Sequence, residues 1–344
     1  MVIYLVLFVV LLFFSIYGVG KRMLLLILLI MSFVLGFRSE EVGTDTSGYI
    51  DYYNSLTLDI FSGYMEKGWN SIAIICKFFN LSAYGFHFII SMLTLLPVGI
   101  ACLKIADDKI TGLVFFLLFS FGFYFHMFNI MRQLLAMSIV LLGYVKLAEG
   151  RKRSFMLCIF IASFIHLASM FALLMLITVR YTLTIKRVIF ILVVSFIVGI
   201  VASESFFRLF AGKFAHDIDD FGFRMGANFI LIVGGLTNLF TLWLYKMVPQ
   251  LSNNVWVKFN IFSVVIFNLA SNLVMGARLV YFFSICSIIT YSLYAVSTKK
   301  KIVPFMIYLF AIVTFIRYLA PEVLKYGMDG SLVPYAMNFQ IFAE

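Results

Sequence analysis

The sequence predicts an all-α polytopic membrane protein, with about ten spanning helices and a few short re-entrant or interfacial ones. Three observations carry this. The 344 residues are 63% hydrophobic and only 12% charged, with a mean hydropathy of +1.07, whereas soluble domains carry about 25% charged residues. Apolar runs near the bilayer-crossing length of ~20 residues recur from end to end. The charged residues fall mostly between those runs. A β-barrel would show alternating segments of about ten residues instead.

In chain order, the predicted spans are 2–19, 23–37, 84–103, 110–128, 131–149, 188–203, 227–247, 259–276, 279–297 and 302–320. The first lacks the basic start and small-residue cleavage site of a signal peptide, so it reads as a retained span. The segment 69–80 is too short to cross. The segment 154–179 is long enough to cross once, yet Arg151, Lys152 and Arg153 precede it and Arg180, Lys186 and Arg187 follow it. One crossing would put a basic cluster outside, against the positive-inside rule. A re-entrant hairpin with His166 near its tip keeps both clusters inside. Such broken helices are tolerated where they face protein or a wet cavity.

With that hairpin the charge sorts itself. The inner loops hold sixteen bases against three acids (Asp107, Asp108, Glu149), and the outer face holds nine bases and thirteen acids. The net +10 is therefore topological, and no nucleic-acid partner is implied. Both termini, the loops 38–68 and 204–226, and the tail 321–344 are expected outside, in a single membrane domain over 1–344. Cys76, Cys102, Cys158 and Cys286 lie scattered in apolar runs without metal or redox spacing, so they read as buried structural thiols.

Ionisable groups at membrane depth are costly and mark function. Four polar groups stand out. In the loop 38–68, Thr44, Asp45 and Thr46 follow Gly43 as a turn or helix cap. Tyr49, Tyr52 and Tyr53 then share one face of a short helix. This is either a capped surface helix or a sugar site of aromatic faces and carboxylates. "FHMFNIMRQLLA" places His126, Asn129, Arg132 and Gln133 at an outer membrane boundary, with Asn129, Arg132 and Gln133 at helical neighbour spacing. Arg132 alone could be a snorkelling anchor; the amides beside it are not explained that way. "SFIHLAS" buries His166 and Ser169, a pair that suits an interhelical hydrogen bond. "NLVMGARLVYFF" sets Arg278 between two spans, with Tyr281 a turn later. Several arginines at one face suit a diphosphate, which arginine binds through bidentate charge-assisted bonds. Asp217, Asp219 and Asp220 could hold a divalent cation or simply be solvated. No P-loop, dinucleotide fingerprint or HExxH occurs.

The ordered set resembles the EpsG family of Wzy-type exopolysaccharide and O-antigen polymerases. The elements are Arg38 with Thr44-Asp45-Thr46 and Tyr49, then Glu66 with Gly68. Asn129, Arg132, Gln133 and Ala136 come next, followed by His166 with Ser169, Arg278 with Tyr281 and Phe282, and a late Pro334-Tyr335. One departure is Leu167, where a proline or small polar residue is expected.

The resemblance implies a GT-C-like fold in the bacterial cytoplasmic (inner) membrane, with its active site facing the periplasm or exterior. It implies a glycosyltransferase that joins oligosaccharide repeat units carried on undecaprenyl diphosphate, with membrane lipid around it and a chain-length regulator protein as partner. No cofactor is implied, and no metal is required where arginines meet the diphosphate. On this reading Asp45 is the expected base, with Glu66 and His166 as rivals. Arg38, Arg132 and Arg278 meet the diphosphate, and Thr44, Thr46, Tyr49, Asn129, Gln133, Tyr281 and Tyr335 bind substrate. A lipid-linked oligosaccharide ligase of the same fold, or a flippase for the same substrate, would be the alternatives. A flippase would be expected to carry inverted repeats and mid-bilayer charges, and the sequence has no such repeat.

Overall fold

A computed structural model describes residues 1–61, 63–105, 107–211, 230–270, 274–328 and 330–342. The described chain is helical, and its only β-type pairings are two isolated bridges. Four helices among the described residues are long and apolar enough to cross a membrane: Ala83–Ile105, Met131–Ala148, Arg278–Val296 and Ile302–Leu324. Shorter apolar helices fill several of the other predicted runs. The chain packs as two compact units, Met1–Met170 with Phe305–Glu344, and Phe171–Pro304.

In the first unit, α1 (Val2–Tyr17) packs along α6 (Asp108–Ser120). The helix α2 (Lys21–Gly36) packs along α5 (Ala83–Ile105), and α5 along α8 (Met131–Ala148). The helix α9 (Lys152–Ile165) runs back against α8. Three short helices lie between: α3 (Thr46–Ser55), α4 (Lys67–Phe78) and α7 (Phe123–His126). The helix α4 matches the segment judged too short to span. The expected span 110–128 is corrected: α6 stops at Ser120, the chain turns through Phe121 and Gly122, and one further turn of helix carries His126. Asp107 caps α6 by accepting from the Lys109 and Ile110 amides at 2.8 and 3.0 Å. The amide of Val19 donates to Asp108 O at 2.9 Å. Those contacts gather Lys21, Arg22, Lys104 and Lys109 at one end of the unit.

The last long helix, here α15 (Ile302–Leu324), begins at that same end, because its Tyr308 hydroxyl donates to Ser15 O at 3.1 Å. Its far end reaches His126, where Tyr318 Oη lies 3.0 Å from His126 Nε2. The expected tail 321–344 starts as helix. The helix continues past Pro321 to Leu324, and the chain then folds back onto the body. Asn338 N donates to Phe37 O at 2.8 Å, Ser39 N to Ala336 O at 2.9 Å, and Ser82 N to Ile341 O at 2.8 Å.

In the second unit, α10 (Ile185–Ala211) packs on α12 (Val255–Ala270), with α11 (Gly235–Met247) beside them. The pair α13 (Val274–Ser284) and α14 (Cys286–Val296) lies against α12. The expected loop 204–226 begins later than expected, since α10 runs on to Ala211. Asp217, Asp219 and Asp220 lie outside the described residues. Tyr245 donates to Leu183 O at 2.9 Å, Gln250 to Ser297 O at 2.7 Å, and Lys300 to Met247 O at 3.1 Å. Arg180, Lys186, Arg187, Lys246 and Lys299–Lys301 thus gather at one end of this unit.

Candidate active site

Three segments far apart in sequence meet at the N-terminal end of α8. Glu66 occupies the N-cap position of α4, Arg132 is the second residue of α8, and His166 stands between α9 and a 3-10 helix over Leu167–Arg180. Glu66 Oε2 accepts from Arg132 Nη1 in an ion pair. Its other oxygen, Oε1, accepts from the Leu167 amide at 3.1 Å and lies 3.4 Å from His166 Nδ1. The side chains of Glu66, Arg132 and His166 are 25%, 26% and 23% exposed. A ligand can therefore reach all three, while the pair keeps more of its strength than a fully solvated one.

Burial pushes the Glu66 carboxyl up, but other groups outweigh it. The hydrogen bond from His166, the Arg132 charge, and the Glu66 and Leu167 amides together pull it down to about 2. The group is an anion throughout the physiological range.

The local sequence explains the meeting. His166 takes an extended conformation, φ −154°, ψ 111°, which ends α9. That break frees the Leu167 amide for Glu66. A proline at 167 would have no such donor, so the departure from the expected motif supplies a ligand for the carboxylate. Gly68 has the complementary role. A Cβ there would stand 2.6 Å from Phe164 O and 2.8 Å from its carbonyl carbon, so only glycine lets α4 seat on the end of α9. The loop before Glu66 is gathered by the buried Asn70, whose amide donates to Ile60 O at 3.2 Å and Met65 O at 3.3 Å. Asn70 Oδ1 accepts from the Tyr52 hydroxyl.

The polar loop docks on the same turn. Thr44 N donates to Asn129 Oδ1 at 2.9 Å, and Thr44 Oγ1 donates to Asp45 Oδ1 at 2.9 Å. Gly43 has φ +93°, as the turn reading requires. Asp45 holds the N-cap position of α3 without a side-chain capping bond. Its carboxylate is half-buried and turned towards Thr44. The Tyr49 ring lies 5.6 Å from that of Trp69. Burial holds the Tyr49 phenol above its ordinary value, against the charge and backbone of Arg132, which act to lower it.

Arg38 is fully buried. Its Nε donates to Thr46 Oγ1 at 2.9 Å and its Nη1 to Leu35 O at 2.5 Å. Its Nη2 reaches Phe128 O at 3.1 Å and Met131 Sδ at 2.8 Å. Arg38 and Thr46 thus tie the end of α2 to α3 and to the turn before α8, and present no surface to a ligand. Tyr335 is similar: its hydroxyl donates to Val34 O at 2.5 Å. Gln133 is buried inside the unit. Arg278, exposed on α13, and the half-buried Tyr281 belong to the second unit.

Sequence reasoning missed Trp69, Asn70 and Tyr318. The first two follow Glu66 and Gly68 directly, and an aromatic and an amide opening a segment too short to span were the available signal. Tyr318 sits in an apolar run with no pattern to mark it.

The family model described as the EpsG family matches residues 21–337. No curated protein and no solved structure matches the chain.

Proposed function

The chain belongs to the EpsG family, and on that premise we propose that it polymerises oligosaccharide repeat units carried on undecaprenyl diphosphate. It transfers the growing chain from one carrier to the non-reducing end of another unit, at the outer face of the cytoplasmic membrane. The observation that carries this reading is the Glu66–Arg132–His166 cluster. It is a partly exposed cation, anion and imidazole, assembled from three distant segments in a chain that is otherwise mostly apolar.

The bond to sugar C1 breaks with its electron pair leaving on the diphosphate, and Arg132 is placed to stabilise that charge. The acceptor hydroxyl forms the new bond to C1 and gives its proton to a base. Glu66, held down to about 2, is a poor base and instead orients His166 through Nδ1, leaving Nε2 for the proton. Asp45 remains the competing base, its carboxylate accepting from the Thr44 hydroxyl, whose own amide donates to Asn129. A direct displacement inverts C1, and retained anomeric configuration in the product would overturn that point. The arrangement needs no metal for the leaving group.

The outward placement is supported by the basic loops. Within the first unit, α15 runs from the end that holds Lys21 and Arg22 to His126 at the other, so those bases and the candidate site lie at opposite ends of that unit. About ten crossings and a GT-C-like arrangement belong to the same proposal.

A deletion strain tests the function. Surface polysaccharide reduced to single repeat units supports a polymerase. Loss of all surface units points to a flippase, and unchanged long chains overturn the proposal.

A further inference from the structure

Resting on the reading of Glu66 and His166 as the site, we propose that Leu167–Arg180 is a length switch. As a 3-10 helix it docks His166 against Glu66; on conversion to an α-helix it withdraws His166 between transfers.

The segment is 14 residues of continuous 3-10 helix. Runs of that form beyond three or four residues are uncommon, because its hydrogen bonds are poorly aligned and side chains three apart eclipse. Burial repeats with the same period. Ser169, Ala172, Met175 and Thr178 are buried at every third position, while Met170, Phe171, Leu174 and Ile177 are exposed. The Thr178 hydroxyl donates to Met175 O at 2.7 Å. An α-helix turns about 100° per residue and a 3-10 helix about 120°. From Ser169 to Thr178 the two registers therefore diverge by about 180°. In an α-helix Thr178 would lie opposite Ser169, among the exposed apolar side chains. The 3-10 register keeps both hydroxyls off that apolar surface.

The same register has a cost. Ser169 Oγ is fully buried and has no hydrogen-bond partner among the described residues, and an unmet buried polar group is expensive. Side-chain burial thus favours the 3-10 form, and hydrogen bonding favours the α form. Such opposed preferences are what a two-state element requires.

The two forms differ in length. From Leu167 to Arg180 the 3-10 form rises about 26 Å and an α-helix about 20 Å. The first residue of the segment supplies the amide that donates to Glu66 Oε1 at 3.1 Å, and His166 Nδ1 lies 3.4 Å from the same oxygen. With the Arg180 end held, a shortening of about 6 Å takes both groups from Glu66. Arg132 keeps its carboxylate, so the ion pair stays while the imidazole leaves. His166 itself is extended, φ −154°, ψ 111°, and serves as the joint between α9 and the switch.

The test measures that length in the full chain, purified in detergent. Spin labels are placed at Leu167→Cys and Arg180→Cys, both exposed. A Cys158→Ser background removes the half-buried thiol; the other three cysteines are buried. The labelled chain is expected to show a main distance and a minor one about 6 Å shorter. Adding Glu66→Gln, which weakens the anchor of Leu167, is expected to make the shorter one dominant. One distance, unmoved by Glu66→Gln, would overturn the proposal. A second pair, Met170→Cys with Leu174→Cys, is exposed and comes face to face in the α form alone. Bridging it with dibromobimane is expected to cut chain elongation at least 10-fold against the unbridged variant. Full elongation with the bridge in place would overturn the withdrawal of His166. The distances are read without any sugar, so failure of the polymerase reading leaves them standing, whereas an unmoved distance with normal elongation overturns the switch alone.

Discussion

Glu66 and Arg132, 66 positions apart in sequence, form an ion pair in which the second carboxylate oxygen accepts from the Leu167 amide. One carboxylate therefore joins the starts of α4 and α8 to the end of α9. Removing Arg132 leaves Glu66 to the Leu167 amide and His166, whereas removing Glu66 takes from Arg132 its carboxylate, so the predicted consequences differ for each.

Arg132→Ala is expected to lower polymerisation about 100-fold or more, the usual cost of losing a donor to developing negative charge. Polymer ladders from membranes with matched protein levels measure it. Long chains at wild-type rate would remove Arg132 from the leaving-group role.

The pH dependence of the pair has a definite sign. The folded Glu66 carboxyl sits at about 2, below its ordinary value of 4.5. Its contribution is therefore fully present above pH ~4.5 and is lost as pH falls towards 2. The thermal-stability gap between wild type and Glu66→Gln in detergent is expected to be constant from neutral pH to about 4.5 and to close below it. A gap that closes between pH 6 and 8 would contradict the assignment.

Arg38 is expected to act on folding and not on transfer. Arg38→Ala removes four protein contacts from a fully buried site and should cost about 3 kcal/mol or more. Membrane levels and melting temperature should fall, while activity per folded molecule stays within a few-fold. A well-folded but inactive variant would restore Arg38 to the substrate.

Gly68→Ala should force α4 from α9, because its Cβ would meet backbone atoms of Phe164 at 2.6 and 2.8 Å. Overpacking of this kind costs roughly 1–3 kcal/mol. Glu66 moves with α4, so activity should drop more than stability does. Equal activity in melting-point-matched conditions would show that the close approach does not position Glu66.

In the second unit, Asn238 and Asn268 exchange reciprocal amide bonds at 2.9 and 3.0 Å, and Asn268 also donates to Ser195 Oγ at 2.9 Å. Asn268→Leu is expected to destabilise that unit by about 1–2 kcal/mol. A double-mutant cycle with Asn238→Leu should show clear coupling; strict additivity would mean the bonds carry no energy.

Several of these features were legible in the residues. Arg132 and Asn129 announced themselves as polar groups at a boundary where apolar side chains cost nothing. Arg38 looked like a ligand because a lone arginine after a span has the same sequence signature whether its donors face substrate or backbone. Trp69 and Tyr318 were invisible because an aromatic in an apolar run reads as packing until its neighbours are known.

By itself the sequence determined that this is a helical membrane chain, because hydropathy is summed locally, residue by residue. Only the tertiary structure decided which polar residues meet. Glu66 reaches Arg132 and His166 because α4, α8 and α9 converge, and Arg38 closes on Leu35, Thr46, Phe128 and Met131. Those partners depend on close approaches such as Gly68 against Phe164, and no one-dimensional pattern of apolar and charged residues encodes a distance between segments.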